Sequence, residues 1–364
     1  MNTALQAIAD GIPQLIGWFE ENKRPLPWRM DPTPYHVWVS EIMLQQTRIE
    51  AVIPYFERFM TALPTVRALA EIPEDALMKL WEGLGYYSRA RNLQKAARQM
   101  VILYDGALPE DYDKLLSLPG IGEYTAGAVA SIAYGIPVPA VDGNVLRVVA
   151  RLTASREDIT KPAVKKQFRD WIVELLPEDR PGVFNQAVME LGERICLPNT
   201  VPRCEQCPLR AVCAGCATGA AAELPVRSPK KARRIETHTV LVVLSEEKVP
   251  QVLLHRRKAT GLLAGLWELP NSPGLLEPES AAALLEKLGG SPERYAALES
   301  GKHIFTHVEW HMTGYQFVLA RFEPPEGYAW VGLRQLAEEY ALPTAFRPFS
   351  RLLPVLMAEK ETVS

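Results

Sequence analysis

Two carboxylates and a run of thiols carry the chemistry this chain could do. Asp142 stands in Asp142-Gly143-Asn144, after a helix pattern (123–134) that is broken by Pro137 and Pro139. Ahead of that helix, Leu118-Pro119-Gly120-Ile121-Gly122 reads as a tight hairpin fed by a short amphipathic run, 114–118. Gly120 and Gly122 allow positive φ and close approach of another backbone. The hairpin would therefore aim free amides, and the positive end of the second helix, at one outside point. Such a point holds an anion, and a nucleic-acid phosphate is one obvious occupant. A plain helix–helix turn that binds nothing is the competing reading. The carboxylate that follows tips the stretch towards chemistry on nucleic acid.

The second carboxylate, Glu41, lies in a helix pattern opened after Pro34, among Trp38, Val39, Ile42, Met43 and Leu44. Apolar company strips solvation from a carboxylate, so its pKa should rise and it can hold a proton near neutrality. Against this stands a surface position on the polar stripe with Gln45 and Arg48, because acids are seldom buried. Residues 81–92, WEGLGYYSRARN, read as a loop entering a helix. Tyr86 and Tyr87 offer flat faces and Arg89 and Arg91 offer charge, which suits base stacking and phosphate contact or, equally, a packed loop. The cysteines come late: Cys196, Cys204, Cys207, Cys213 and Cys216 fall within 21 positions. Thiols so spaced in a reducing compartment point to metal. C-x7-C-x2-C-x5-C could ligate a [4Fe–4S] cluster, and the pairs 204/207 and 213/216 would equally suit zinc.

The elements that must position these groups fall into two regions. Residues 1–216 read as all-α, with no sustained period-two alternation. Residues 217–235, small, Pro-containing and basic, read as an interdomain linker, and 236–364 as an α+β domain. There, two β-branched runs surround a polar turn near 245–251, and one further helix is expected in 277–290 and another in 331–340. His303, His307 and His311 fall at period two in a strand read over 302–315, as half-buried, hydrogen-bonded side chains rather than a metal site.

Net charge is −3, with 28 Lys and Arg against 27 Asp and Glu through Arg234. The balance permits nucleic-acid binding without arguing for it. The N-terminus lacks a signal peptide's basic start and apolar core, and no apolar run would span a bilayer. An intracellular protein, with thiols rather than disulfides, is expected.

LPGIGEYTAGAVASIAYGIPVPAVDGNV resembles the helix-hairpin-helix and catalytic Asp of the endonuclease III superfamily of DNA glycosylases. WVSEIMLQQT, GLGYYSRARNL and FNQAVMELG, followed by the cysteines, resemble adenine DNA glycosylases of the MutY type, and GLLAGLWELP and IFTH resemble that family's Nudix-like C-terminal domain. The resemblance covers nearly the whole chain. It implies a multidomain protein: an all-α helix-hairpin-helix glycosylase domain (hairpin region about 113–134) with an iron–sulfur cluster loop (196–213), then an α+β Nudix-like lesion-recognition domain.

The implied reaction is hydrolysis of the N-glycosidic bond of adenine opposite 8-oxoguanine or guanine in double-stranded DNA. By resemblance Glu41 protonates adenine, Asp142 stabilises the oxocarbenium-like sugar, Tyr124 supports the site and Asn144 orients Asp142. Superfamily lyases carry a Schiff-base lysine where this chain has Tyr124, so a monofunctional glycosylase is implied. Arg24, Arg29 and Gln186 should line the adenine pocket. Leu44 and the hairpin's Gly120 and Gly122 should meet DNA, and Gln46 and Tyr86 should wedge the base stack. Thr47 and Leu84 should face the opposite base. Phe305-Thr306-His307 matches a family loop that reads Phe-Ser-His, so a methyl is added where 8-oxoguanine is read.

Cys196, Cys204, Cys207 and Cys213 should hold [4Fe–4S], although seven residues here separate the first two, one more than usual, which leaves Cys216 an outside candidate. The helix at 280–290 holds only Glu286 where a Nudix hydrolase needs a cluster of acids, so the second domain is expected to recognise rather than hydrolyse. The family further implies a monomer in the cytoplasm of a bacterial cell, associated with the nucleoid. A glycosylase for another base, or a silent mismatch-binding protein, are the rival readings.

Overall fold

The structure is a computed structural model that describes residues 3–229 and 232–358. The described chain divides into two compact units, with boundaries at Glu71/Ile72, Ala90/Arg91 and Lys230/Lys231. The first unit joins the residues up to Glu71 to those from Arg91 to the boundary at 230. The second joins Ile72–Ala90 to those after it. No helix among the described residues is long and apolar enough to cross a membrane.

The first unit is helical, and the helix Glu123–Tyr134 lies at its centre. Its residues from Thr125 to Ser131 are all buried. It packs against the helices Pro34–Leu44 and Pro181–Arg194, and the latter packs on Gly143–Leu152. Small residues permit this. A Cβ on Gly127 would come within 2.1 Å of the Pro139 carbonyl oxygen, and one on Gly182 within 2.4 Å of that of Ser131. Around these helices a core forms from Leu15, Phe19, Phe168, Phe184 and Leu191, each worth roughly 2 kcal/mol on burial.

The helix Pro34–Leu44, capped by Thr33, buries every residue from Val37 to Met43, so it has no polar stripe for Glu41 to occupy. The hairpin starts from a helix of the expected length set two residues earlier, Tyr112–Leu116, whose N-cap Asp111 accepts from the amide of Lys114. Gly120 takes the left-handed conformation (φ 76°). Gly122 does not: it is extended (φ −95°, ψ 179°) and caps the helix Glu123–Tyr134.

The stretch expected as a linker is built into the helical unit over much of its length. Leu224 is buried, its carbonyl accepts from Arg151 Nε at 2.9 Å, Val226 bridges to Asp158, and Ser228 donates to Asp158. Apolar Ala and Leu side chains among the prolines explain why it packs. Lys230 and Lys231, also assigned to the linker, lie outside the described residues.

The second unit is built on a seven-stranded sheet: β1 (Arg234–Ser245), β2 (Val252–Arg256), β3 (Trp267–Glu268), β4 (Asn271–Pro273), β5 (Tyr295–Ile304), β6 (Val308–Leu319) and β7 (Tyr328–Val331). The order is β3-β2-β1-β6-β5, with β4 on β1 and β7 on β2. β1 and β6 run parallel, and the remaining pairs are antiparallel. β1 is buried on both faces: Val240, Val242 and Leu244 enter one core, Leu241 and Val243 another beneath the helix Pro278–Lys287.

The stretch 302–315 is a hairpin, not a single strand. The amide of Phe305 bonds the carbonyl of Val308 at 2.8 Å, so His303 sits opposite Trp310, Lys302 opposite His311, and His307 in the turn. The three histidines therefore share no strand face.

Candidate active site

A cleft of about 780 Å³ opens in the helical unit. Around it stand Glu41, Leu44, Gln46, Thr47, Tyr124, Asp142, Asn144, Gln186, Arg24 and Arg29, so five helices, among them the short Pro27–Met30, and the extended 23–26 link converge on one space. Glu41 is 7% exposed. Tyr124 Oη donates to Glu41 Oε2 at 2.6 Å. Burial raises the Glu41 carboxyl to about 7, helped by nearby Asp142 and opposed by the Tyr124 hydroxyl and Arg29. The Tyr124 phenol is itself raised well above its usual value by burial and by the Glu41 and Asp142 charges, so it stays a neutral donor.

Asp142 faces a different environment. It caps the helix Gly143–Leu152. Its Oδ1 accepts from the amides of Asn144 and Val145 at 2.9 and 2.8 Å, and its Oδ2 from Asn144 Nδ2 at 2.8 Å. Burial raises this carboxyl too, against the two amides and Arg147, which favour the charge. Every one of those contacts is a donor, so the ionised form satisfies them all, and the helix's positive end adds to it. Asn144 is fixed in turn, its Oδ1 accepting from Arg147 Nη2 at 2.9 Å.

Glu190, within FNQAVMELG but given no role in the sequence reading, organises the other wall. Glu190, with its side chain fully buried, accepts from Arg24 Nε and Nη2 at 2.6 and 2.8 Å and from Arg29 Nη2 at 2.8 Å. Although burial would raise it, these two guanidiniums hold Glu190 below the usual carboxylate range. Glu193, one turn on, also accepts from Arg24 Nη2. The only hint in sequence was an acid at i+4 from Gln186 on the same helix.

Beside the N-cap helix, Cys196, Cys204, Cys207 and Cys213 face one small cavity. All five cysteines are free. Arg151 Nη1 donates to Cys196 Sγ at 3.2 Å. Burial, and then the neighbouring thiols, push Cys204 up to about 11 and Cys207 up to about 12. Thiols gathered in an apolar pocket stay protonated unless cations draw off the protons, so the donor set fits a cationic iron–sulfur core. Among the described residues no three His, Cys, Asp or Glu side chains converge as ligands of a single metal ion. A cluster several atoms across needs ligands spread wider than that.

The remaining expected residues lie elsewhere. Gly120 and Gly122 form the hairpin, apart from the cleft, and among the described residues their amides have no backbone acceptor. Leu84, Tyr86, Phe305, Thr306 and His307 belong to the second unit. There, Tyr86 Oη and Thr306 Oγ1 lie 3.0 Å apart, Leu84 is buried, and Phe305 packs edge-on to Trp310 at 4.9 Å. Gln46 (φ 59°) and Tyr86 (φ 47°) are both held left-handed, a strain of order 1 kcal/mol that surrounding structure must impose.

Comparison with known proteins agrees with this arrangement. Residues 39–174 match the HhH-GPD superfamily of base excision DNA repair proteins, and 239–352 match the NUDIX domain. The helical unit is similar to endonuclease III in a non-covalent DNA complex (TM-score 0.52, 25% identity, 60% of this chain and 99% of that one). Fold and cleft thus define a helix-hairpin-helix DNA-repair domain followed by a Nudix-like domain. The adenine DNA glycosylase of Mus musculus is 36% identical over 399 residues, covering 93% of this chain and 76% of its own. That of Homo sapiens is 35% identical over 380 residues, covering 87% and 69%. The chain belongs to the adenine DNA glycosylase family.

Proposed function

We propose that this chain excises adenine paired with 8-oxoguanine, or with guanine, from double-stranded DNA, by hydrolysis of the N-glycosidic bond and without cutting the strand. The observation that carries this reading is the pairing of Glu41, raised to about 7 by burial, with the donor-saturated Asp142 around one cleft. An acid kept protonated beside a carboxylate kept ionised is the division of labour that glycosidic cleavage needs. Adenine leaves the stack to enter the cleft, which costs a few kcal/mol and favours a mispaired base. Arg24, Arg29 and Gln186 line its place, with the arginines immobilised by Glu190.

Glu41 then delivers its proton to adenine N7. The C1′–N9 electrons pass to the base, and the cation left on the sugar is stabilised by Asp142 until water, deprotonated by Glu41, adds to C1′. Asn144 holds Asp142 and Tyr124 holds Glu41. Tyr124 supplies no amine and among the described residues no lysine lines the cleft, so no Schiff base forms there and the abasic site is the product.

The backbone amides of Gly120 and Gly122 suit a DNA phosphate, and Gln46, Leu44 and Thr47 lie at the cleft's rim for contact with the opened stack. In the second unit, Thr306 Oγ1 with Tyr86, Leu84, Phe305 and His307 would read the opposite base. Cys196, Cys204, Cys207 and Cys213 would hold [4Fe–4S], which supplies a rigid cross-link beside the helix that Asp142 caps. We take the protein to work as a monomer.

Single-turnover incubation of an A:8-oxoguanine duplex with the wild type and with Asp142→Asn, followed by alkali, tests the reaction. Alkali-dependent breaks at the adenine for the wild type and almost none for the variant are expected. Tight binding with no abasic sites would leave a binding protein, and breaks without alkali would contradict the role given to Tyr124. Iron and sulfide analysis of the wild type and Cys207→Ser tests the cluster independently.

A further inference from the structure

Residues 72–90 come from the middle of the helical sequence yet belong to the second unit, together with the sheet. Several contacts between them and the rest of that unit are polar, and their pattern is specific. Lys79, at the end of the helix Glu74–Leu80, donates from Nζ to the carbonyls of Leu336 and Tyr340 at 2.8 and 3.1 Å and to Glu82 Oε2 at 2.6 Å. Glu82 Oε1 accepts from the amide of Leu342 at 2.7 Å. One ion pair therefore serves both ends of the segment 336–342. Its cation takes the Leu336 carbonyl in the last turn of the helix Leu333–Glu338 and the Tyr340 carbonyl past its end, and its anion takes the amide of Leu342 just beyond. Asp75 adds a pair to Arg256 Nη2 at 2.9 Å. Four residues past Glu82, Tyr86 Oη meets Thr306 Oγ1.

We propose that the Lys79–Glu82 pair is a positioning device that fixes the Leu84–Tyr86 loop against the Phe305–Thr306–His307 turn, so that the two read the base opposite adenine as one surface. The proposal rests on the reading of those residues as the opposite-base reader. A backbone held left-handed at Tyr86 gives the loop a single shape only while its base is anchored. Neither Lys79 nor Glu82 lines the cleft that holds Glu41 and Asp142. Loss of the anchor therefore acts on discrimination between partner bases and spares the bond-breaking step.

The test compares single-turnover rates and duplex affinities for A:8-oxoguanine and A:G with the wild type, Lys79→Met, Glu82→Gln and the double variant. The expected result is a fall of about tenfold in the preference for 8-oxoguanine in Lys79→Met, the size of one lost charge-assisted hydrogen bond. The A:G rate at saturating enzyme should be unchanged, and the double variant should be no worse than Lys79→Met alone. Glu82→Gln, which keeps an acceptor for Leu342, should lose less and serves as the readable variant if Lys79→Met does not fold. Retained preference in folded variants overturns the proposal, as does an equal loss on both duplexes. A wild type with no preference for 8-oxoguanine instead overturns the reading of the opposite-base residues on which it rests.

Discussion

The cleft of the helical unit and the Tyr86–Thr306 contact of the second unit are built from opposite materials. In the cleft, the working groups are ionisable, buried and locked by one another: Glu41 by Tyr124, Asp142 by its own helix and Asn144, two arginines by Glu190. In the second unit the pair is neutral and partly open, with Tyr86 45% exposed. A buried charge is costly to misplace and strong once placed, whereas an exposed hydroxyl contact is worth about 1 kcal/mol. Selectivity and rate should therefore separate between the two regions. Changes in the cleft should cost orders of magnitude in rate, and changes in the second unit should cost modest factors in preference.

The largest effects should come from the two carboxylates. Asp142→Asn removes the anion proposed to face the sugar, and a fall in single-turnover rate of about 10³-fold is expected from loss of such electrostatic stabilisation. Glu41→Gln removes the proposed proton donor and should cost about 10²–10⁴-fold. Next comes Glu190→Gln, which leaves two guanidiniums facing a neutral amide. Urea unfolding should show a loss of roughly 3 kcal/mol, the usual cost of orphaning a buried charge.

Smaller again is Tyr124→Phe. The hydroxyl lowers the Glu41 carboxyl against the effect of burial, so its removal should move the alkaline limb of the rate profile to higher pH. A shift to lower pH would contradict the hydrogen bond's assigned direction. Smallest is Thr306→Val, which should reduce the preference for 8-oxoguanine over guanine by about fivefold with the A:G rate unchanged. An effect there as large as that of Asp142→Asn would break the contrast between the two regions.

Much of the site was legible because it is local. Asp142 as an N-cap follows from Asp-Gly-Asn before an apolar helix, and Gly120 at a left-handed turn from its neighbours Pro119 and Ile121. The cysteine spacing exposes a shared pocket but not its contents. Glu41 was decided by tertiary packing: the same sequence allows a polar stripe until the helix is seen buried all round.

What escaped depends on distance along the chain or on backbone state. Glu190 meets Arg24 across 166 residues, and no pattern in either segment signals the other. The strained φ of Gln46 and Tyr86 leaves no trace in residue type. Alternation across 302–315 imitates one strand, but the turn at 306–307 shifts the period by one, so Phe305 shares the core face with Val308, Trp310 and Met312. The basic, small-residue stretch after Ala217 reads as a linker by composition, yet Leu224 and Val226 seat it on the helical unit.

Glu41 is proposed to act as a protonated acid beside an ionised Asp142. The most direct measurement is the pH dependence of single-turnover adenine release from an A:8-oxoguanine duplex, for the wild type and Glu41→Gln. With the Glu41 carboxyl near 7, the acid is fully protonated below that pH and is lost above it. The wild-type rate should level off on the acid side and then fall about tenfold per pH unit on the alkaline side. The Glu41→Gln rate should be low and flat across the same range. A wild-type rate that holds constant through neutrality, or a Glu41→Gln variant that keeps the alkaline fall, would contradict the assignment.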